Sequence, residues 1–148
     1  MSLETKIMEQ MKEAMKSKNQ IALEALRAIK SEILLFKTSG KSEEFGETQE
    51  IALLQKLIKQ RKEAAEQFLA NQRTELAEKE LAQAEVIQRF LPEQLSEEEL
   101  EAKLKEIIVQ TGASSPKDMG KVMGAANKEL AGKAEGKLIA ETVKRLLN

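Results

Sequence analysis

Proline punctuates this chain only twice, at Pro92 and Pro116, and nearly everything around those breaks is a helix former. Ala, Leu, Glu, Lys and Gln dominate, and they lose little rotamer freedom in a helix. No stretch sustains the period-two alternation of β-branched residues that a half-buried strand requires. The chain therefore reads as all-α. Its 148 residues suit one domain or two small ones. A chain of ~150 residues can bury ~68–70% of its unfolded surface, enough for a real core.

Apolar spacing and start–stop signals predict seven helices. The first runs from Leu3 to Lys16. The second starts at Asn19 as N-cap and carries Leu26, Ile29, Ile33 and Phe36 on one stripe. Thr38-Ser39-Gly40-Lys41-Ser42 and Gly46 mark a loop. The third spans about Thr48 to Asn71, with Ile51, Leu54, Ile58, Ala65 and Phe68 facing inward. The fourth spans about Arg73 to Leu91, with Leu81, Ala84, Ile87 and Leu91 inward. The third and fourth could also be one bent helix. Pro92 closes this region, and Ser96-Glu97-Glu98-Glu99 opens the next helix as a capping box. That helix ends at Gly112, a left-handed stop. Ser115-Pro116-Lys117-Asp118 starts the sixth, which runs to about Ala131. Gly132 to Gly136 is a turn, and Lys137 to Leu147 the last helix. The expected architecture is an N-terminal bundle of about four helices, residues 1–92, and a three-helix C-terminal domain, residues 96–148, hinged around Pro92 to Leu95.

The absences are as informative. There is no histidine, cysteine, tryptophan or tyrosine. No Ser-His-Asp or Cys-His nucleophile can be assembled, and no histidine can act as acid or base. Metal sites of the usual histidine-nitrogen or cysteine-sulfur kind, and disulfides, are equally impossible. No metal and no cofactor is expected. No apolar run approaches the ~20 residues of a membrane span, and no apolar segment follows the first residues as in a signal peptide. A soluble cytoplasmic protein is the expectation.

The formal net charge of -1 conceals an uneven distribution. Residues 117–148 hold seven basic side chains (Lys117, Lys121, Lys128, Lys133, Lys137, Lys144, Arg145) against four acids, or +3. Such asymmetry points to an anionic partner or to an ordinary solvated surface. The sixth helix narrows the choice. At ~100° per residue, Met119, Val122, Met123, Ala126 and Leu130 share one face. Lys117, Lys121, Gly124 and Lys128 share the other, with Gly120 at its edge. A glycine in an exposed helix costs ~1 kcal/mol relative to alanine. Two glycines beside three lysines let a phosphate chain, or another helix, approach the backbone closely. The following turn, with Gly132, Lys133, Gly136 and Lys137, adds a helix N-terminus with unpaired N–H groups. It lacks P-loop order, and an ordinary helix–helix turn explains it as well.

Other charged groups read as structural. On the third helix, Lys59–Glu63 and Lys62–Glu66 have i,i+4 spacing and should pair with each other. Glu43-Glu44 and Glu97-Glu98-Glu99 look like solubility and capping residues. The Met8, Met11, Met15 stripe is core or a packing surface.

Four segments carry a resemblance. Phe90-Leu91-Pro92-Glu93-Gln94-Leu95-Ser96-Glu97-Glu98-Glu99-Leu100 resembles the hinge signature of the YqeY family, and Lys56 to Glu63 is similar to its charged helix. Met119-Gly120-Lys121-Val122-Met123-Gly124 and Ala131 to Lys137 are similar to its C-terminal elements. The family shares this region with the tail of GatB, a subunit of the tRNA-dependent amidotransferase. The resemblance implies an all-helical tail that helps hold tRNA, with its glycines at Gly120, Gly124, Gly132 and Gly136. Glu135 stands where relatives tend to have Asp or Asn, both better N-caps. Acyl activation and glutamine hydrolysis belong to other parts of the amidotransferase. A carbon–nitrogen ligase label with glutamine as amido-N-donor would be inherited from it, with no catalytic residue here.

The leading expectation is thus a non-catalytic protein that binds tRNA or other structured RNA. Its surface would comprise Lys117, Gly120, Lys121, Gly124, Lys128, Gly132, Lys133, Gly136 and Lys137. Without Trp or Tyr, recognition by shape and phosphate is favoured over base stacking. The alternative is a protein-interaction or accessory module linked to the amidotransferase, with a protein partner.

Overall fold

The structure is a computed structural model and describes residues 2–40 and 44–148. Lys41 and Ser42 of the expected loop, and Glu43 of the first carboxylate pair, lie outside the described residues. Among the described residues there are seven α-helices and no strand. They are α1 (Leu3–Lys16), α2 (Gln20–Thr38), α3 (Glu47–Ala70), α4 (Thr74–Gln88), α5 (Glu97–Thr111), α6 (Met119–Glu129) and α7 (Gly136–Leu147). The helices group into two compact units, one ending at Leu91 and the other starting at Pro92.

The N-terminal unit holds α1 to α4. Asn19 caps α2 by accepting a hydrogen bond from the Ala22 N–H at 3.1 Å. A three-residue connection then suffices to reverse the chain after α1. Lys18 takes a left-handed φ of 56° there, and the Asn19 N–H reaches back to the Ala14 carbonyl at 2.9 Å. The α3–α4 turn repeats this device. Gln72 has φ 61°, and the Arg73 N–H bonds the Phe68 carbonyl at 2.7 Å. Two separate helices therefore stand where one bent helix was the alternative. The core is built from Leu3, Ile7, Leu26, Ile29, Ile33, Leu54, Leu57, Ile58, Ala84 and Ile87.

Several expected inward positions shift. Phe36, Ile51, Phe68 and Leu91 are half-buried, while Leu53 and Leu57 are fully inside. Leu81 is 44% exposed, which corrects its assignment to the core. At ~100° per residue it lies ~40° beyond Ala77, outside the buried arc. That arc extends the other way, through Gln83 and Val86. Gln83, only 7% exposed, is the reason. Its amide donates to Glu24 of α2 at 2.8 Å, and its carbonyl accepts from Arg61 Nε of α3 at 3.2 Å. Lys79 Nζ also reaches Glu24, at 3.3 Å. A buried amide must be satisfied, and this chain satisfies it by linking three helices.

The C-terminal unit holds α5 to α7 around Leu100, Leu104, Ile107, Val122, Ala126, Leu130, Ile139 and Val143. The Ser96 hydroxyl accepts from the Glu99 N–H at 3.1 Å, and the Glu99 carboxylate accepts from the Ser96 N–H at 3.2 Å, completing the capping box. Gly112 ends α5 with φ 71°. The Ser115–Asp118 start signal opens a 3-10 turn, Pro116–Asp118, and α6 proper begins at Met119. The Asp118 carboxylate accepts the N–H groups of Ser114 and Ser115, at 3.0 and 3.4 Å.

Candidate nucleic-acid interface

The apolar face of α6 anchors its orientation. Val122, Ala126 and Leu130 are buried, and Met119 and Met123 pack partly against the same core. The opposite stripe is thereby turned out. Lys117, in the 3-10 turn, and Gly120, Lys121, Gly124 and Lys128 are all exposed. A Cβ added at Gly120 or Gly124 would meet nothing within 4 Å. Within the described chain, neither glycine is required by packing or by backbone conformation.

The turn between α6 and α7 divides its residues. Lys133, Gly136 and Lys137 are exposed, whereas Gly132 is buried. Gly132 has φ 75°, a left-handed conformation that explains glycine at this place. Its carbonyl accepts from the Gln94 side chain at 2.5 Å, and the Lys133 carbonyl accepts from the Leu95 N–H at 2.9 Å. Gln94 also donates to the Pro92 carbonyl at 2.9 Å. The turn is therefore clasped by residues 94 and 95, a role that spacing within 117–148 could not reveal. In sequence, the Pro92 stop and the Ser96–Glu99 capping box mark that stretch as a hinge and carry no sign of the clasp.

At the start of α7, Glu135 supplies no side-chain cap. The helix nevertheless starts with ordinary geometry: the Ile139 N–H bonds the Glu135 carbonyl at 3.0 Å. The earlier N–H groups of the first turn lack intrahelical acceptors, as in any helix. Gly136 is open on its Cβ side.

Charge is sorted within this unit. From Pro92 onward the chain has nine basic and ten acidic residues, so the unit as a whole is not basic. The acids concentrate elsewhere. Glu97, Glu98 and Glu101 of α5 and Glu141 of α7 line a groove with Leu138, Thr142 and Arg145. Arg145 Nη1 lies 3.3 Å from the Glu101 carboxylate, and Lys105 Nζ lies 3.6 Å from it. The Arg145 hydrogen bond, then its charge and that of Lys105, hold the Glu101 carboxyl below the usual carboxylate range. Arg145 is thus engaged and leaves the free basic set. Among the described residues, Lys117, Lys121, Lys128, Lys133 and Lys137 form no ion pair.

The α3 charges behave differently. Lys59 pairs with Glu63 at 4.0 Å, but Lys62 has no such bond to Glu66 among the described residues. Lys56 instead reaches Glu32 of α2 at 3.6 Å, and Arg61 is taken up by Gln83 and the Leu57 carbonyl.

The family model described as Yqey-like protein matches residues 4–147. The chain belongs to the YqeY family. Altered inheritance of mitochondria protein 41, mitochondrial, of Lachancea thermotolerans is 31% identical over 108 residues, 72% of this chain and 58% of that protein. The protein of the same name from Pyrenophora tritici-repentis is 33% identical over 128 residues, 84% of this chain and 68% of its own length. An uncharacterized protein of Schizosaccharomyces pombe is 35% identical over 95 residues, 64% of this YqeY-family chain and 76% of that protein. The match thus leaves two fifths of the Lachancea protein uncovered. Among the described residues, no helix is long and apolar enough to cross a membrane. Nor does any group of three or more acidic side chains there have the arrangement to hold a metal ion.

Proposed function

We propose that this YqeY-family chain is a non-catalytic protein that binds tRNA or another folded RNA through α6, the glycine turn and the start of α7. The supporting observation is the pair of open glycines. Gly120 and Gly124 forgo the ~1 kcal/mol each that alanine would add to an exposed helix, and among the described residues nothing occupies the space they leave. Lysines that form no ion pair among the described residues flank that bare backbone. A phosphate ridge can lie against it while Lys117, Lys121 and Lys128 neutralise charge, and Lys133, Lys137 and the first N–H groups of α7 take a neighbouring phosphate. The single aromatic type present, phenylalanine, lies wholly in the other unit and in the hinge, so recognition here rests on shape and phosphate. The reading requires a compartment that holds tRNA. The cytoplasm expected from sequence is one, and the mitochondrion in the relatives' names is another.

The test separates RNA contact from fold. Gly124→Ala should raise the melting temperature, because alanine favours the helix, and at the same time weaken binding of total tRNA several-fold. Lys121→Glu with Lys133→Glu should weaken it at least ten-fold and flatten its dependence on salt. Unchanged tRNA affinity in both variants, or no binding at low salt, rejects the reading. A stable protein partner that survives nuclease treatment and is lost on Gly124→Ala would assign the same surface to a helix of another protein.

A further inference from the structure

The other unit carries a second exposed surface of different chemistry. Along α1, Met8, Lys12 and Met15 fall at i, i+4 and i+7, one face of the helix. Along α2, Arg27, Lys30, Leu34 and Lys37 fall at i, i+3, i+7 and i+10. The two helices run side by side in opposite directions. Glu4 at the start of α1 pairs with Lys37 near the end of α2, and a groove between them is lined by Ile7 and Met8 opposite Lys30, Ile33 and Leu34. Ile7 and Ile33 form its buried floor. Its rims stay open: Met8 is 46% and Leu34 62% exposed, and Met15, two turns further along the same face of α1, is 53% exposed.

The charge around the groove is one-sided. Glu4 is neutralised by Lys37, whereas Lys12, Arg27 and Lys30 are exposed and form no ion pair among the described residues. Two antiparallel helices with an apolar strip between them offer the seat that a third helix takes in a bundle. Methionine, unbranched and flexible, adapts to the side chains of an incoming helix. A nucleic acid would satisfy the cations and leave the apolar strip uncovered.

We propose that the α1–α2 groove docks an amphipathic helix of a partner protein. That helix carries apolar side chains at every third or fourth position, flanked by carboxylates. The apolar side chains cover Met8, Met15 and Leu34, and the carboxylates meet Lys12, Arg27 and Lys30. The proposal is independent of RNA binding, which involves other residues in the other unit.

The experiment places a photo-crosslinking benzophenone amino acid at Leu34 of the full chain, in its own cells. The control position is Gln10, exposed on α1 and turned well away from Met8. The adduct at Leu34 should map to one protein segment with that apolar spacing and an acidic excess. A synthetic peptide of the segment should bind the purified chain. Its affinity should fall at least ten-fold on Lys12→Glu with Lys30→Glu, and again on Leu34→Asp, with helicity and melting preserved. If Leu34→Asp disturbs the fold, the charge reversals decide. Adducts confined to lipid, nucleic acid or a second copy of the chain overturn the proposal. So do adducts no more abundant than at Gln10, or peptide binding indifferent to the lysine reversals.

Discussion

The two units use charge in opposite ways. In the N-terminal unit, away from the open cations of the α1–α2 groove, four cations are matched to acceptors on neighbouring helices: Lys56 to Glu32, Lys79 to Glu24, Lys37 to Glu4, and Arg61 through Gln83 to Glu24. In the C-terminal unit, among the described residues, Arg145 alone is matched across helices, to Glu101, which also pairs with Lys105 of its own helix, while the lysines of α6 and its turn form no ion pair. Charge in the first unit specifies which helix sits beside which. Charge in the second is held outward, on a face whose glycines no packing among the described residues requires. A single net charge near zero describes both units and distinguishes neither.

Both units nevertheless owe their cohesion to apolar burial, and equal injury to each core is the strongest test of their separateness. Leu54→Ala and Leu104→Ala each remove a leucine that is at most 2% exposed. Each should cost about 2–5 kcal/mol. Hydrogen exchange should then show lost protection in α1 to α4 for the first and in α5 to α7 for the second. Equal loss throughout the chain for either variant would mean that the two cores melt as one.

A smaller effect addresses the charges themselves. Gln83→Leu keeps the volume inside but strips the link between Arg61 and Glu24. Hydrogen bonds to charged groups contribute about 1.5–3 kcal/mol each, and solvent reaches both partners, so the lower end is expected in denaturant unfolding. Lys121→Glu should change stability by less than about 0.5 kcal/mol, as for other exposed positions remote from internal partners. Similar losses from the two variants would erase the contrast between inward and outward charge.

How much of this was legible from sequence depended on whether the cause was local. The limits of α1, the Asn19 cap, the Ser96–Glu99 capping box and the Gly112 stop follow from side chains bonding their own backbone, and each is present. The outward face of α6 followed from its apolar period. The α3–α4 break was ambiguous because Gln72 takes a left-handed φ where glycine would have announced it. The buried arc of α4 was misread at Leu81 because its decisive member is a glutamine. Glutamine enters a core only when distant partners such as Glu24 and Arg61 are supplied by the fold. The clasp of Gln94 on Gly132 spans 38 positions and leaves no periodic trace.

The finest distinction between the units lies in how each holds a carboxylate. The Lys79 hydrogen bond, helped by Gln20 and Gln83 and opposed by burial, keeps the Glu24 carboxyl below its ordinary range; Arg145 does the same for Glu101. A carboxyl whose folded pKa is depressed contributes stability that is fully present above its unfolded pKa. That contribution is lost as pH falls through the folded value. The chain has no histidine, so carboxylates alone among the side chains set the acid limb of stability. Lys79→Met should raise the Glu24 pKa, read by carboxyl chemical shifts, and should shrink the stability lost on acidification, since less of it is present above the unfolded pKa to lose. It should leave Glu101 untouched. Arg145→Met should do the converse. The Glu24 shift should persist in part, since Gln20 and Gln83 still donate to its carboxylate, whereas Glu101 would retain only Lys105. A larger residual depression at Glu101 than at Glu24 would reverse the order of the two units and show the C-terminal pair to be the better buttressed.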